Sequence, residues 1–180
     1  MTTLTDEIPM VWIGCMSCYN SGRLVGEWFP AAGADLVTVE QVHHISRSHL
    51  SGCEELWVMD HEYLPIDGEC SPMEAAAWAE RLAGVEEHLR PAFRAWASAG
   101  AYAADSDGLP EVDEFFDAYC GQWPTFRAYA EDQAESSGMM ADWPAEAVQH
   151  FNWESWTRDL RFGYTVVDAP AGESFIFRSL

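Results

Sequence analysis

The sequence predicts an α+β fold, an extended chain of small modules with an N-terminal antiparallel sheet, a helical middle, and C-terminal helices with a β-hairpin. Three observations predict it. Short apolar runs broken by Gly, Ser and Pro fill the first third. Apolar residues recur at helical spacing from Ser71 onward. Two β-branched and aromatic runs flank a Pro/Gly turn near the end. A chain of 180 residues suits one domain or a few closely joined modules, here expected at 1–65, 66–107 and 108–180.

The first expected strand is Val11 to Met16, which ends in the turn-rich run Ser17-Cys18-Tyr19-Asn20-Ser21-Gly22. Arg23 to Phe29 alternates loosely and stops at Pro30, and Glu55 to Asp60 is a third strand. In the middle, Ser71-Pro72-Met73-Glu74 has the form of a capping box with Pro at the first helical position. Ala75, Trp78, Ala79 and Leu82 then make one apolar face. A second stripe runs Val85, Leu89, Ala92, Phe93, Trp96, and Pro91 within it predicts a break near Arg90. Gly100 to Gly108 reads as a linker. Val112, Phe115, Phe116 and Tyr119 mark a helix closed by Gly121, and Phe126, Tyr129, Ala130 and Ala134 another closed by Gly138. Short helices are expected over Pro144–His150 and Glu154–Leu160. Tyr164–Val167 and Ser174–Phe177 form the hairpin across Ala169-Pro170-Ala171-Gly172.

Composition narrows the function. Apolar residues make up 48% and include nine Trp, enough for a packed core, so the charge is not a sign of disorder. Thirty acidic residues stand against nine basic ones, all Arg, for a formal charge of -21. Nucleic acid and anionic membrane are poor partners for such a chain, because binding either requires basic groups. A basic surface is the natural partner. An acidic proteome or a need for solubility would give the same excess, so the placement of the acids has to decide. Five cysteines, no secretory segment and no run near the ~20 apolar residues of a membrane helix point to a reducing, cytoplasmic setting.

The acids are organised. Between Asp60 and Asp159 lie 21 of them against five arginines. Asp113 and Asp117 are four apart on one expected helix, with Glu114 three before Asp117; Glu131 and Glu135 are four apart on the next, with Asp132 between. Each such pair costs about 0.2–0.5 kcal/mol, and an ordinary surface helix alternates signs instead. The expected partner-binding surface comprises Glu74, Glu80, Glu86 and Glu87, then Asp105, Asp107, Glu111, Asp113, Glu114 and Asp117, and finally Glu131, Asp132, Glu135, Asp142 and Glu146. At one charge per ~1.7 Å of duplex axis, the formal charge matches roughly 36 Å of DNA. A globule of this size has a radius of gyration of only ~16 Å, so an extended protomer would display it better.

Four blocks carry a family resemblance. Tyr19-Asn20-Ser21-Gly22-Arg23-Leu24-Val25-Gly26-Glu27-Trp28 resembles the N-terminal signature of the ArdA antirestriction proteins. Trp57 to Pro65 is similar to the second block of that family, and Phe116 to Trp123 with the acidic helix after it to the third. Ala141-Asp142-Trp143-Pro144-Ala145-Glu146, ending in Phe151, looks like its antirestriction motif. The resemblance implies a protein of mobile genetic elements, without catalysis or cofactor, that acts as an elongated homodimer. Its implied partner is a type I restriction-modification enzyme, whose specificity and modification subunits it engages by imitating DNA. Asp and Glu would stand in for phosphates in the DNA-binding groove. Trp143, Pro144, Val148 and Phe151 are core-like residues of the motif, and candidates for dimer packing. The stretch Val37 to Cys53, with His43, His44 and His49, matches none of the blocks.

Two other classes stand beside this reading. An acidic scaffold for some other basic nucleic-acid-handling protein would share the charge. A small metalloprotein would use Cys15, Cys18, His49 and Cys53, whose spacings suit zinc; the leading reading assigns no metal. Nothing resembles a P-loop, a nucleophile elbow or a dinucleotide loop. Arg23, the basic residue of the signature, is expected to hold its turn by pairing with nearby carboxylates.

Overall fold

The central strand of the N-terminal sheet is β1 (Met10–Cys15), with α1 (Met16–Asn20) following it directly. The computed structural model describes residues 7–44 and 52–179. β2 (Gly26–Pro30) and β3 (Leu56–Glu62) pair antiparallel on either side of β1, in the order β2-β1-β3. The three expected strands are therefore present as one sheet. Val11, Ile13 and Cys15 alternate into the core and are fully buried. The register against β3 shifts between Trp12 and Ile13, a bulge that turns the strand locally. Gly14 lies opposite Gly26 in the β1–β2 ladder, and the Trp12 indole covers both. A Cβ on Gly26 would overlap that ring and lie 2.7 Å from the Ile13 carbonyl oxygen. Close packing, and not backbone conformation, thus fixes glycine at the end of the Tyr19–Trp28 signature.

The rest of this half is helical and supports the sheet. α2 (Val39–Val42) is a single turn with a full capping box between Thr38 and Gln41. α3 (Pro72–Ala83) begins where the sequence predicts, with the Ser71 hydroxyl accepting the Glu74 N–H at 3.1 Å. Its face of Ala75, Trp78, Ala79 and Leu82 is buried. Arg90 closes the C-terminal end of the helix, its Nε donating to the carbonyls of Leu82 and Val85 at 3.1 and 3.2 Å. Contacts divide the chain here into two units, Met1–Arg90 and Pro91–Leu180.

In α4 (Arg90–Ser98), Pro91 sits in the first turn, where its missing N–H has no partner to lose. The expected break lies at Arg90, where a 3-10 turn over Glu87–Leu89 gives way to the α-helix. The run 100–110 is a closed loop, bridged between Ala104 and Pro110. α5 (Val112–Ala118) follows, then β4 (Tyr119–Trp123), α6 (Phe126–Ser136), α7 (Ala145–Gln149) and α8 (Trp153–Leu160). The chain ends in the hairpin of β5 (Tyr164–Asp168) and β6 (Ser174–Arg178), whose turn holds Ala171 at φ 62°.

One expectation is corrected. Tyr119 to Gly121 does not finish a helix; it opens β4, which pairs with β6 in a second antiparallel sheet of order β4-β6-β5. Tyr119 is already extended, at φ −68° and ψ 118°, so the helix stops at Ala118, and β6 supplies partners from more than fifty residues away, beyond any local pattern. Around this sheet the core is aromatic. Phe115 meets Phe93 edge-on at 5.3 Å and stacks on Tyr119 at 5.3 Å. Phe126, Tyr129 and Ile176 form a second cluster with Leu160, Tyr164 and Val166 against it.

The substitution Gly26→Ala should cost about 1–3 kcal/mol through overpacking against Trp12. Urea unfolding should show a lower midpoint at unchanged slope; an unchanged midpoint would refute the close-packing account of this glycine.

Candidate functional site

The helices place the acids outward by the same periodicity that places aromatics inward. On α5, Asp113 and Asp117 are exposed while Phe115 and Ala118 are buried. On α6, Glu131, Asp132 and Glu135 are exposed opposite Phe126, Tyr129, Ala130 and Ala134. Glu74 and Glu80 lie on the exposed side of α3, with Glu86 and Glu87 exposed just beyond it. Asp107, Glu111, Asp142 and Glu146 are exposed as well. The charge is shared almost evenly between the units. Met1–Arg90 has fifteen acids and four arginines, a formal -11, and Pro91–Leu180 has fifteen and five, a formal -10.

Several of the candidate carboxylates have local work, Glu86 among them, 3.5 Å from His88 Nδ1. Asp105 is half-buried, and its Oδ1 accepts the N–H groups of Asp107 and Leu109 at 2.8 and 2.9 Å. These bonds, with Asp105 N–H to the Leu109 carbonyl at 2.9 Å, close the 100–110 loop. Glu114 accepts the Ala103 N–H at 2.9 Å and ties that loop to α5. Glu131 pairs with Arg127 one turn before it, at 2.6 Å. Sequence spacing treats all these acids alike; only the fold separates anchored from unanchored ones.

The stretch around Trp143 departs from its expected character. Its residues look core-like in the sequence, yet every residue from 141 to 150 is exposed, including Trp143 at 40% and Val148 at 37%. Trp143 meets Phe151 edge-on at 5.6 Å, and Phe151 continues to Trp153 at 4.9 Å. Pro144 precedes α7 as its N-cap. An apolar face without cover inside the unit accounts for residues that resemble a core but lie outside one.

The N-terminal unit also gathers thiols. The sulfur atoms of Cys15, Cys18 and Cys53 and a ring nitrogen of His43 all lie within 4.8 Å of one another. Cys15, Cys18 and His43 are buried, and Cys53 is partly so. Burial pushes the Cys15 thiol up, but hydrogen bonding from His43, the Cys18 N–H, Cys53 and Cys18 outweighs it and brings the pKa down to about 7. Desolvation, then Cys15 and Cys18, push Cys53 up to about 11. His49, the histidine singled out by spacing, lies outside the described residues. His43 lies 25 residues from Cys18 and at no zinc-motif spacing from Cys53, so the sequence does not mark it. Arg23 does hold its turn, though its partner is a thiol and not a carboxylate: its Nη2 donates to Cys18 Sγ at 3.7 Å.

The division among carboxylates is testable by thermal unfolding. Asp105→Ala should cost about 1–3 kcal/mol by stranding two backbone donors. Asp117→Asn should leave stability unchanged or raise it by about 0.2–0.5 kcal/mol by relieving repulsion with Asp113. Equal effects at the two positions would remove the distinction.

No curated protein matches the chain. The family model described as antirestriction protein (ArdA) matches residues 11–173. That span includes the β1–β3 sheet, the acidic helices and the exposed stretch around Trp143, nearly the whole sequence, and so the chain belongs to the ArdA antirestriction protein family.

Proposed function

We propose that this protein inhibits type I DNA restriction-modification enzymes by occupying their DNA-binding groove in place of the duplex, acting as a homodimer and without catalysis. The observation that carries the proposal is the combination of family membership over residues 11–173 with exposed carboxylates on the outer faces of successive helices. A groove built for duplex DNA presents Lys and Arg at phosphate spacing. A surface of formal charge -21 competes for those groups with complementary potential, fast encounter and no need for base contacts. The specificity and modification subunits, which hold the target duplex, are the expected partners.

Unanchored acids are the better candidates for contact: Asp113 and Asp117 on α5, Asp132 and Glu135 on α6, and Glu74 and Glu80 on α3. Asp105 and Glu114 already serve backbone donors, and Glu131 shares its charge with Arg127. The exposed Trp143 and Val148, with the half-buried Phe151 beside them, suit packing between two copies, since burial on association removes apolar surface from water.

The test is competition. A type I enzyme bound to its labelled target duplex should lose the DNA as stoichiometric protein is added, and binding should weaken as salt rises. Replacing Asp113, Asp117, Asp132 and Glu135 together by their amides should weaken inhibition at least tenfold, while each single change shifts it by less than about threefold. Retention of DNA by the enzyme at excess protein would sink the proposal. So would recovery, from host lysate, of other basic proteins in place of restriction subunits. A monomer at micromolar concentration in light scattering would remove the dimer.

A further inference from the structure

We infer that the N-terminal unit contains a structural zinc site formed by Cys15, Cys18, His43 and Cys53. The argument is one of geometry and donor chemistry, and it is independent of the antirestriction reading. A tetrahedral zinc with Zn–S bonds of ~2.3 Å and a Zn–N bond of ~2.0–2.1 Å sets its ligand atoms about 3.6–3.8 Å apart. Cys18 Sγ lies 3.9 Å from His43 Nε2 and 3.9 Å from Cys53 Sγ. All four ligand atoms fall within 4.8 Å of one another. Closure onto an ion therefore needs side-chain shifts of about an ångström or less. The sulfur separation is nearly twice that of a disulfide, ~2.05 Å.

Four backbone segments bring the donors together, and each is held in place. Cys15 ends β1, its N–H donating to the Val25 carbonyl at 2.9 Å. Cys18 lies in α1, and its carbonyl accepts from Arg23 N–H at 2.9 Å. His43 is the C-cap of α2, 3% exposed. Cys53 is in the run leading into β3, which is tied to α1 by Ser17 Oγ to the Gly52 carbonyl at 2.7 Å and by Met16 N–H to the Glu55 carbonyl at 3.1 Å. Three thiolates and an imidazole are soft donors, which select zinc over magnesium, calcium or manganese. Three thiolates on a divalent ion leave one net negative charge, and the Arg23 guanidinium 3.7 Å from Cys18 Sγ balances it. With four protein ligands the site is closed, so its role is to staple α2 and the start of β3 to the β1–α1 turn.

Metal analysis of the full-length protein, purified reduced and without added zinc, should find one zinc per chain. Cobalt offered to the metal-free protein should give the intense visible bands of a tetrahedral site together with thiolate-to-cobalt charge transfer. His43→Ala should weaken zinc binding on the order of a hundredfold or more. Cys120→Ser, outside the cluster, should keep the full equivalent. Chelation should lower the melting temperature by about 5 °C or more. Should His43→Ala fail to fold, the cobalt spectrum of the unaltered chain decides by itself. Substoichiometric zinc in reduced protein supplied with the ion, cobalt bands without thiolate charge transfer, or a Cys18–Cys53 disulfide in the reduced preparation would each overturn the inference.

Discussion

Thirty carboxylates against nine guanidinium groups set the terms for every other feature. An ionised carboxylate moved into an apolar interior costs several kcal/mol even after relaxation. Nearly all of them must therefore lie at the surface, and cohesion must come from uncharged side chains. In the N-terminal unit that cohesion is aliphatic about the sheet, with Val11, Ile13, Val58 and Leu82 fully buried. In the C-terminal unit it is aromatic, with Phe93, Trp96, Phe115, Tyr129 and Phe177. α5 shows how the balance falls. Repulsion between Asp113 and Asp117 costs about 0.2–0.5 kcal/mol, whereas burying Phe115 contributes about 1.5–3 kcal/mol and its ring contacts about 0.5–1.5 kcal/mol more. One well-packed ring carries several such repulsions, which is how a short helix can hold a like-charged face.

The arginines follow from the same constraint. Evenly scattered, they would neutralise the acidic faces they accompany. Several instead act at joints in the fold. Arg90 donates to two carbonyls at the end of α3, Arg23 to the Cys18 thiol, and Arg127 lies 5.5 Å from the Trp153 ring while pairing with Glu131. Arg161 sits over Phe126 at 5.7 Å. A planar guanidinium with five donors serves carbonyl, thiol, carboxylate and ring alike, which an ammonium does less well. Arg23 and Arg90 at such joints are turned to a thiol and to carbonyls, away from the outer carboxylates.

Much of this was legible in the sequence because it is local. The strands of the first sheet, the Ser71 cap, the break before Pro91 and the buried face of α6 all follow from periodicity and cap chemistry over a few residues. What escaped is what depends on distant partners. β4 exists because β6 pairs with it, and Gly121 looks like a helix stop until that partner is present. Trp143 and Val148 look like core because their chemistry is apolar, and exposure is a property of the fold. Asp105 resembles any other acid in a count, and only the closed loop reveals the two backbone donors it serves. His43 has no motif spacing to mark it, and only the fold brings its ring within 4.8 Å of the three sulfur atoms.

The local density of charge differs between the two units. At physiological ionic strength an exposed charge is felt over about 8 Å, so a partner responds to the local density of carboxylates more than to the total. Density on a helix is set by backbone geometry: residues three and four apart stand about 5–6 Å from one another, inside that range. Asp113 with Asp117, and Asp132 with Glu135, are each such a pair, on successive helices of the C-terminal unit. The N-terminal unit has as much formal charge, yet its acids among the described residues are divided among strands, loops and the helix α3. Equal charge therefore does not mean equal attraction for a basic groove. The C-terminal helices concentrate their field, and the sheet unit spreads its own.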